Sequence, residues 1–292
     1  VREIAERHVK ARNTSAHSEN KIHDDTTART LGFRGGLVPG ITVYAYLTFP
    51  VVQALGEDWL ARGTASVRFG SPIYEGEDVA LRTVDAPGGG LQVTAFNPAG
   101  QSCAVMTAGI ATSDPPAWPA APPSFAPLPP DSERPPATRD VLDRVTTLGS
   151  PEIVVGEAIA AEYVESVGDT LAIYRGRGGW VHPAMILKQA NQALSLNVRL
   201  GPWIHVGSEV WHLGGAHVGE RLTMLGRVHR LFERKGHEFV ELDLLCTAAV
   251  DRPVARVRHT AIYKLSGSSE HFPVASGSGA SAPQRPAAPQ AS

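Results

Sequence analysis

ASVRFGSPIYEGEDVAL, residues 65–81, and SEVWHLGGAHVGERLTM, residues 208–224, follow one pattern at a constant offset of 143 positions. Val67 then meets Val210, Gly76 meets Gly219, Glu77 meets Glu220, Val79 meets Leu222 and Leu81 meets Met224. Each reads as a strand, a turn and a second strand, because apolar and polar residues alternate on both sides of a glycine. A motif that returns at this spacing implies two copies of one structural plan.

The context of each copy repeats as well. Ahead of the first lies GITVYAYLTFPVVQAL (residues 40–55), apolar nearly all round, as expected of a helix enclosed by a sheet. Ahead of the second lies HPAMILKQANQALSLNVRL (residues 182–200), with Ala184, Leu187, Ala190, Ala193 and Leu194 at helical spacing and Pro183 suited to a first turn. Behind them come LQVTAF with SCAVMTAGIAT, and HEFVELDLLCTAAV with PVARVRHTAIYKL, which read as antiparallel hairpins. Between the copies, residues 113–137 carry ten prolines in 25 positions, too many for a helix or an inner strand, and are expected to be a stiff linker. The expected organisation is two domains, 1–112 and 138–265, with a tail over 266–292 that has little to bury and is expected to be disordered. The fold class is α+β: two curled antiparallel sheets, each wrapping one central helix, which is the double hotdog plan.

Bulk properties narrow the partners. With 27 Lys and Arg against 29 Asp and Glu, the formal charge is -2, so no global field draws the chain to nucleic acid or an anionic membrane. Hydrophobic residues make up 42% of the chain, enough for a packed core. Cys103 and Cys246 lie in apolar strand-like runs and are expected to be buried thiols, with neither a disulfide framework nor a zinc site. VREIAERHVK is charged where a signal peptide would be apolar, and no run approaches the ~18 apolar residues of a membrane span, so the expected location is the cytoplasm.

The richest polar stretch is RNTSAHSENKIHDDTTARTLGFRGGLVPG, residues 12–40. It resembles the MaoC-like family, which includes the (R)-specific enoyl-CoA hydratases. That family carries Asp-x-Asn-Pro-[aliphatic]-His-x-Asp before the hotdog helix, and Asn20, Ile22, His23 and Asp25 fall on the Asn, the aliphatic residue, the His and the second Asp. Leu37, Val38, Pro39 and Gly40 fall on the helix start. The resemblance implies interconversion of a 3-hydroxyacyl thioester and its 2-enoyl form, with no metal or redox cofactor and with acyl-CoA or an acyl carrier protein presenting the substrate. It assigns acid–base work to His23, whose ordinary pKa suits proton transfer near neutrality. Gly40 would offer a backbone N–H to the thioester oxygen, and Asn20 would orient His23 or the substrate.

The chain departs from the pattern at two places: Ser18 holds the position of the family's catalytic Asp, and Lys21 that of its Pro. Three readings stay open. Glu19 or Asp24 replaces the missing acid; or His23 works alone, as in isomerisation or elimination; or the fold binds without chemistry, as an acyl-binding or assembly protein. A hotdog thioesterase would also need a carboxylate, for which Glu19 is the local candidate. Asp25, before Thr26, is expected to cap a helix. Tyr44 and Tyr46 could line an acyl tunnel, and His182 sits at the second helix start, where Pro39 sits in the first. His205 and His212 alternate along a strand-like run and do not converge on a metal. The basic run 227–237 would face coenzyme A phosphates or form a solvated hairpin. Because the two halves supply each other's partner, a monomeric pseudo-dimer is expected, or a homodimer of such units.

Overall fold

A computed structural model describes residues 3–118, 121–249 and 251–266, so nearly all of the expected 266–292 tail lies outside the described residues. The first half contains β1 (Glu3–Lys10), α1 (Asp25–Thr30), α2 (Gly40–Arg62), β2 (Gly63–Phe69), β3 (Asp78–Asp85), β4 (Leu91–Phe96) and β5 (Ser102–Ile110). The second contains α3 (Arg139–Arg144), β6 (Glu152–Val154), α4 (Glu157–Ser166), α5 (Pro183–Ser195), β7 (Ile204–His212), β8 (Arg221–Arg234), β9 (His237–Ala248) and β10 (Arg252–Lys264). Both quoted repeats are a strand, a turn and a strand, and Gly76 and Gly219 turn the chain in the same way, at φ 76° and 105°. Only glycine adopts those angles without strain, which is why the repeat retains it.

The two curled sheets are joined edge to edge. The strands form one ten-stranded sheet in the order β1-β3-β4-β5-β2-β7-β10-β9-β8-β6. Five strands of each half meet where β2 and β7 pair antiparallel, Thr64 opposite Trp211 through Arg68 opposite Gly207. Two isolated sheets would each leave a row of unpaired backbone N–H and C=O groups along β2 or β7, and mutual pairing satisfies both rows. At this seam a Cβ on Gly207 would lie 2.8 Å from the carbonyl oxygen of Val67, so the strands close only because position 207 has no side chain.

Inside the curl lie α2 and α5. Helix α2 runs seven residues beyond its expected end, through Pro50 and a break at Gly56 (φ 60°). Ile41–Thr48 and Pro50–Val52 are buried without interruption, as for a helix enclosed on all sides. Fully buried side chains such as Leu47 and Val51 contribute roughly 1.5–3 kcal/mol each by leaving water. Helix α5 is shorter than its expected span, Pro183–Ser195, and buries Ala184, Leu187, Ala190, Ala193 and Leu194.

The proline-rich segment is more than a connector. Ala126 and Ser150 exchange hydrogen bonds, Ala137 N–H donates to Arg199 O, and Arg227 donates to Ala121 O. Trp118 lies under the guanidinium of Arg256 at 3.8 Å, so the segment packs across the outer face of the second half's sheet. Beneath it the basic run is engaged: Asp243, fully buried, pairs with Arg258 at 2.7 Å and Arg227 at 3.3 Å, and Glu241 pairs with Arg230 at 3.0 Å. The run closes the β8–β9 hairpin, as one of its two expectations had it, and its Arg227 and Arg230 are held in ion pairs on the sheet's outer face.

Candidate functional site

His23 ends a single 3-10 turn, Lys21–His23, that Asn20 caps by accepting from Ile22 N–H at 3.3 Å. Ile22 anchors the turn in a small core with Ala28, Phe33 and Leu37. Leu37 N–H donates to Ile22 O at 3.2 Å, and His23 Nδ1 lies 2.7 Å from Leu37 O. A carbonyl oxygen can only accept, so Nδ1 carries the proton and Nε2 is left with a lone pair. Burial lowers the pKa of His23, against the opposing pull of the Leu37 bond, so the ring is neutral near pH 7. Gly36 makes this geometry possible, because a Cβ there would fall 2.2 Å from His23 O.

Asn20 ties the site to the other half. Its Nδ2 donates to Trp203 O at 2.9 Å and lies 3.4 Å from His23 Nε2, while its Oδ1 accepts from Trp203 N–H at 3.2 Å. Two branches of one cleft meet at Asn20, His23, Pro39, Asn191 and Trp203. One branch is apolar, lined by Val38, Val43, Phe69, Pro72, Ile73 and Cys103. The other is polar, lined by Ser18, Glu19, Arg134, Lys188, Gln192 and Arg199. Gly40 opens α2 in the apolar branch, where a helix's first N–H groups have no carbonyl of their own.

Ser18 donates its hydroxyl weakly to Asn20 O at 3.4 Å and lines the polar branch. Glu19 also lines it, but its carboxylate is exposed and faces Arg134 at 3.4 Å. Asp24 caps α1 by accepting from Thr27 N–H at 2.9 Å, and this bond holds its carboxyl below the usual range. The sequence places the cap at Asp25; α1 begins one residue earlier than that, so Asp24 is the cap and Asp25, inside the first turn, accepts from Gly36 N–H at 2.8 Å. Among the described residues no carboxylate reaches within ion-pair distance of the His23 ring. Tyr44 and His182 are fully buried outside this cleft, and Tyr46 accepts from Arg12 N–H at 3.0 Å. Among the described residues no group of three His, Cys, Asp or Glu side chains could hold a metal ion.

One residue that strand periodicity did not single out lies in the cleft. His205 comes from β7, and its Nδ1 would lie 3.1 Å from a Cβ on Gly40, so it faces the start of α2. Its Nε2 bonds Ser208 Oγ at 2.9 Å, which bonds His259 Nδ1 at 3.0 Å, a buried polar chain across β7 and β10. Burial holds His205 well below the ordinary histidine range, with neighbouring His259 adding to the effect. The alternation of IHVGSEVWH marks a strand, but which face turns toward the cleft depends on β7 pairing with β2.

Known structures share this arrangement of a doubled sheet around two helices. A protein named a MaoC-like dehydratase superposes with a TM-score of 0.60 at 13% identity, over 90% of this chain and 97% of the other. The mycobacterial protein RV0216 of Mycobacterium tuberculosis, whose structure is described as a double hotdog, gives 0.59 at 16% identity, over 88% and 93%. The fold is a double hotdog. A protein of Chloroflexus aurantiacus J-10-fl, provisionally named a MaoC domain protein dehydratase, shares the double hotdog at a TM-score of 0.58 and 12% identity, over 90% and 94%. No sequence-family profile matches the chain, and no curated protein sequence matches it. At these identities the likeness establishes the double hotdog and leaves the chemistry to the site. No helix among the described residues is long and apolar enough to cross a membrane.

Proposed function

We propose that the chain is an acyl-thioester hydratase or dehydratase, with His23 as the acid–base residue and the Gly40 N–H as the donor to the thioester oxygen. The observation that carries this reading is the tautomer of His23: its proton is committed to Leu37 O, which leaves Nε2 as a base where the two cleft branches meet. The apolar branch suits an acyl chain, and the branch bearing Lys188, Arg134 and Arg199 suits the anionic carrier of coenzyme A or a carrier protein. In hydration, Nε2 takes a proton from the water whose oxygen bonds C3, and the same ring returns a proton to C2. Negative charge on the thioester oxygen passes to the start of α2.

Loss of enoyl absorbance with crotonyl-CoA and longer enoyl-CoAs tests this directly. His23→Ala is expected to lower turnover about 10²–10⁴-fold, and the wild-type acid limb is expected below the ordinary histidine pKa. Absence of turnover at every chain length, or full activity in His23→Ala, would sink it. Non-catalytic acyl binding is the second reading, favoured by Ser18 at the acid position and by the lack of a carboxylate at His23. Under that reading Ser18→Asp creates activity where none existed. A thioesterase reading depends on Glu19, which faces Arg134, and release of free thiol from acyl-CoA would be its signature.

A further inference from the structure

Backbone bonding repeats between the halves more closely than side chains do. Leu37 N–H donates to Ile22 O at 3.2 Å, and Trp180 N–H donates to Ile173 O at 2.9 Å. Val38 N–H to Ile73 O is matched by Val181 N–H to Ala216 O, both at 2.8 Å. Each central helix is thus preceded by an equivalent 3-10 turn, Lys21–His23 in one half and Ala172–Tyr174 in the other. Tyr174 then stands where His23 does, and five residues before each turn's end, Asp169 stands where Ser18 does. The carboxylate missing from the first half is present at the same position in the second.

Asp169 is buried against a histidine. Its Oδ1 accepts from Leu171 N–H at 2.8 Å, and its Oδ2 lies 3.4 Å from His182 Nε2. His182 Nδ1 accepts from Ala184 N–H at 3.2 Å, so its proton is on Nε2, facing the carboxylate. The rings of Tyr163 and Tyr174 flank His182, with centroids 5.4 and 4.7 Å away. Asp169 Oδ2, His182 Nε2 and the hydroxyls of Tyr44, Tyr163 and Tyr174 are buried and make no hydrogen bond to the described residues. The 3.4 Å approach is close enough for an ion pair but too poorly aligned for a hydrogen bond. A purely structural pair satisfies such groups, since a buried polar group left unmatched destabilises the fold. Asp169 and Tyr174 also line a surface cleft bounded by α4.

We infer that the second half holds its own acid–base site, in which Asp169 acts on the same class of thioester and His182 positions it. The substrate class rests on the reading of the His23 cleft; the site itself does not. Asp169 Oδ2 takes one proton from the water whose oxygen bonds C3 of the enoyl thioester and returns one proton to C2, so the carboxylate ends as it began. The tyrosine hydroxyls are free to donate to the thioester oxygen.

The full chain carrying His23→Ala, Asp169→Asn or both is assayed for enoyl-CoA hydration, with circular dichroism melts as a check on folding. Residual turnover in His23→Ala that falls at least tenfold further on adding Asp169→Asn is the expected result. His182→Asn keeps a capping side chain but removes Nε2–H, and is expected to shift the pH profile of that residual turnover. Full activity in Asp169→Asn together with none in His23→Ala overturns the inference while leaving the His23 reading intact. If wild type hydrates no enoyl-CoA, the His23 reading and this inference both fail; full activity in His23→Ala that is lost in Asp169→Asn overturns the His23 reading and leaves the second site standing.

Discussion

At the residue scale, the site is made by atoms whose protonation the backbone dictates. Leu37 O selects the tautomer of His23, and Gly36 keeps that contact short by lacking a side chain. Burial alone sets the protonation of two further histidines. His212 packs edge-on against Trp59 at 4.8 Å with both ring nitrogens unpartnered, and burial pulls its pKa down to about 4; His259 is pulled down to about 3. Between those values and the ordinary 6.5, the unfolded chain binds more protons than the folded one, so stability falls as pH drops through that window. Thermal melts are therefore expected to show a lower Tm at pH 5 than at pH 7.5. His212→Phe should narrow that gap by at least about 3 °C, and an unchanged gap would show that His212 does not titrate this way.

At the element scale, the linker and the outer sheet face form one layer. Asp243 is fully buried and pairs with Arg227, Arg258 and His229, while Trp118 of the linker stacks on neighbouring Arg256. Asp243→Ala would take the shared carboxylate from part-buried Arg227 and Arg258, leaving Arg258 with Glu241 alone, and is expected to cost about 1–3 kcal/mol in urea unfolding. A loss under about 1 kcal/mol would mean the pairs behave as solvated surface bridges. This layer was not legible in SDPPAWPAAPPSFAPLPPDSERPPA, because proline content forbids helix and inner strand yet says nothing about which surface the segment covers. Strands β1 and β6 were equally hidden: EIAERHVK lacks clean alternation, and EIV is too short to show any.

At the scale of the whole molecule, the two halves complete each other. β2 pairs with β7, α2 lies beside α5, and Asn20 bonds Trp203 across the seam. Residues 1–112 expressed alone would expose the β2 edge and the α2 face, and are expected to aggregate or self-associate. Co-expression with residues 138–266 should restore a soluble pair, read by size-exclusion chromatography. A folded monomeric 1–112 fragment would contradict the role given to the seam.

The amino-acid sequence alone determined the doubling, the helix-in-sheet plan and the position of His23, because these are written in local periodicity and in one short motif. Asn20, Ile22, His23 and Gly40 lie within 21 residues of each other, so their proximity needed little more than a turn. Only the tertiary structure decided that both halves share one sheet and that His205 faces Gly40. It also turned Glu19 and Asp24 to other partners and set Asp169 against His182. The shared sheet, the His205 contact and the pairing of Glu19 with Arg134 join positions more than a hundred residues apart, which no local pattern encodes, while Asp24 and Asp169 were settled by how the turns before α1 and α5 fold back on the helix starts.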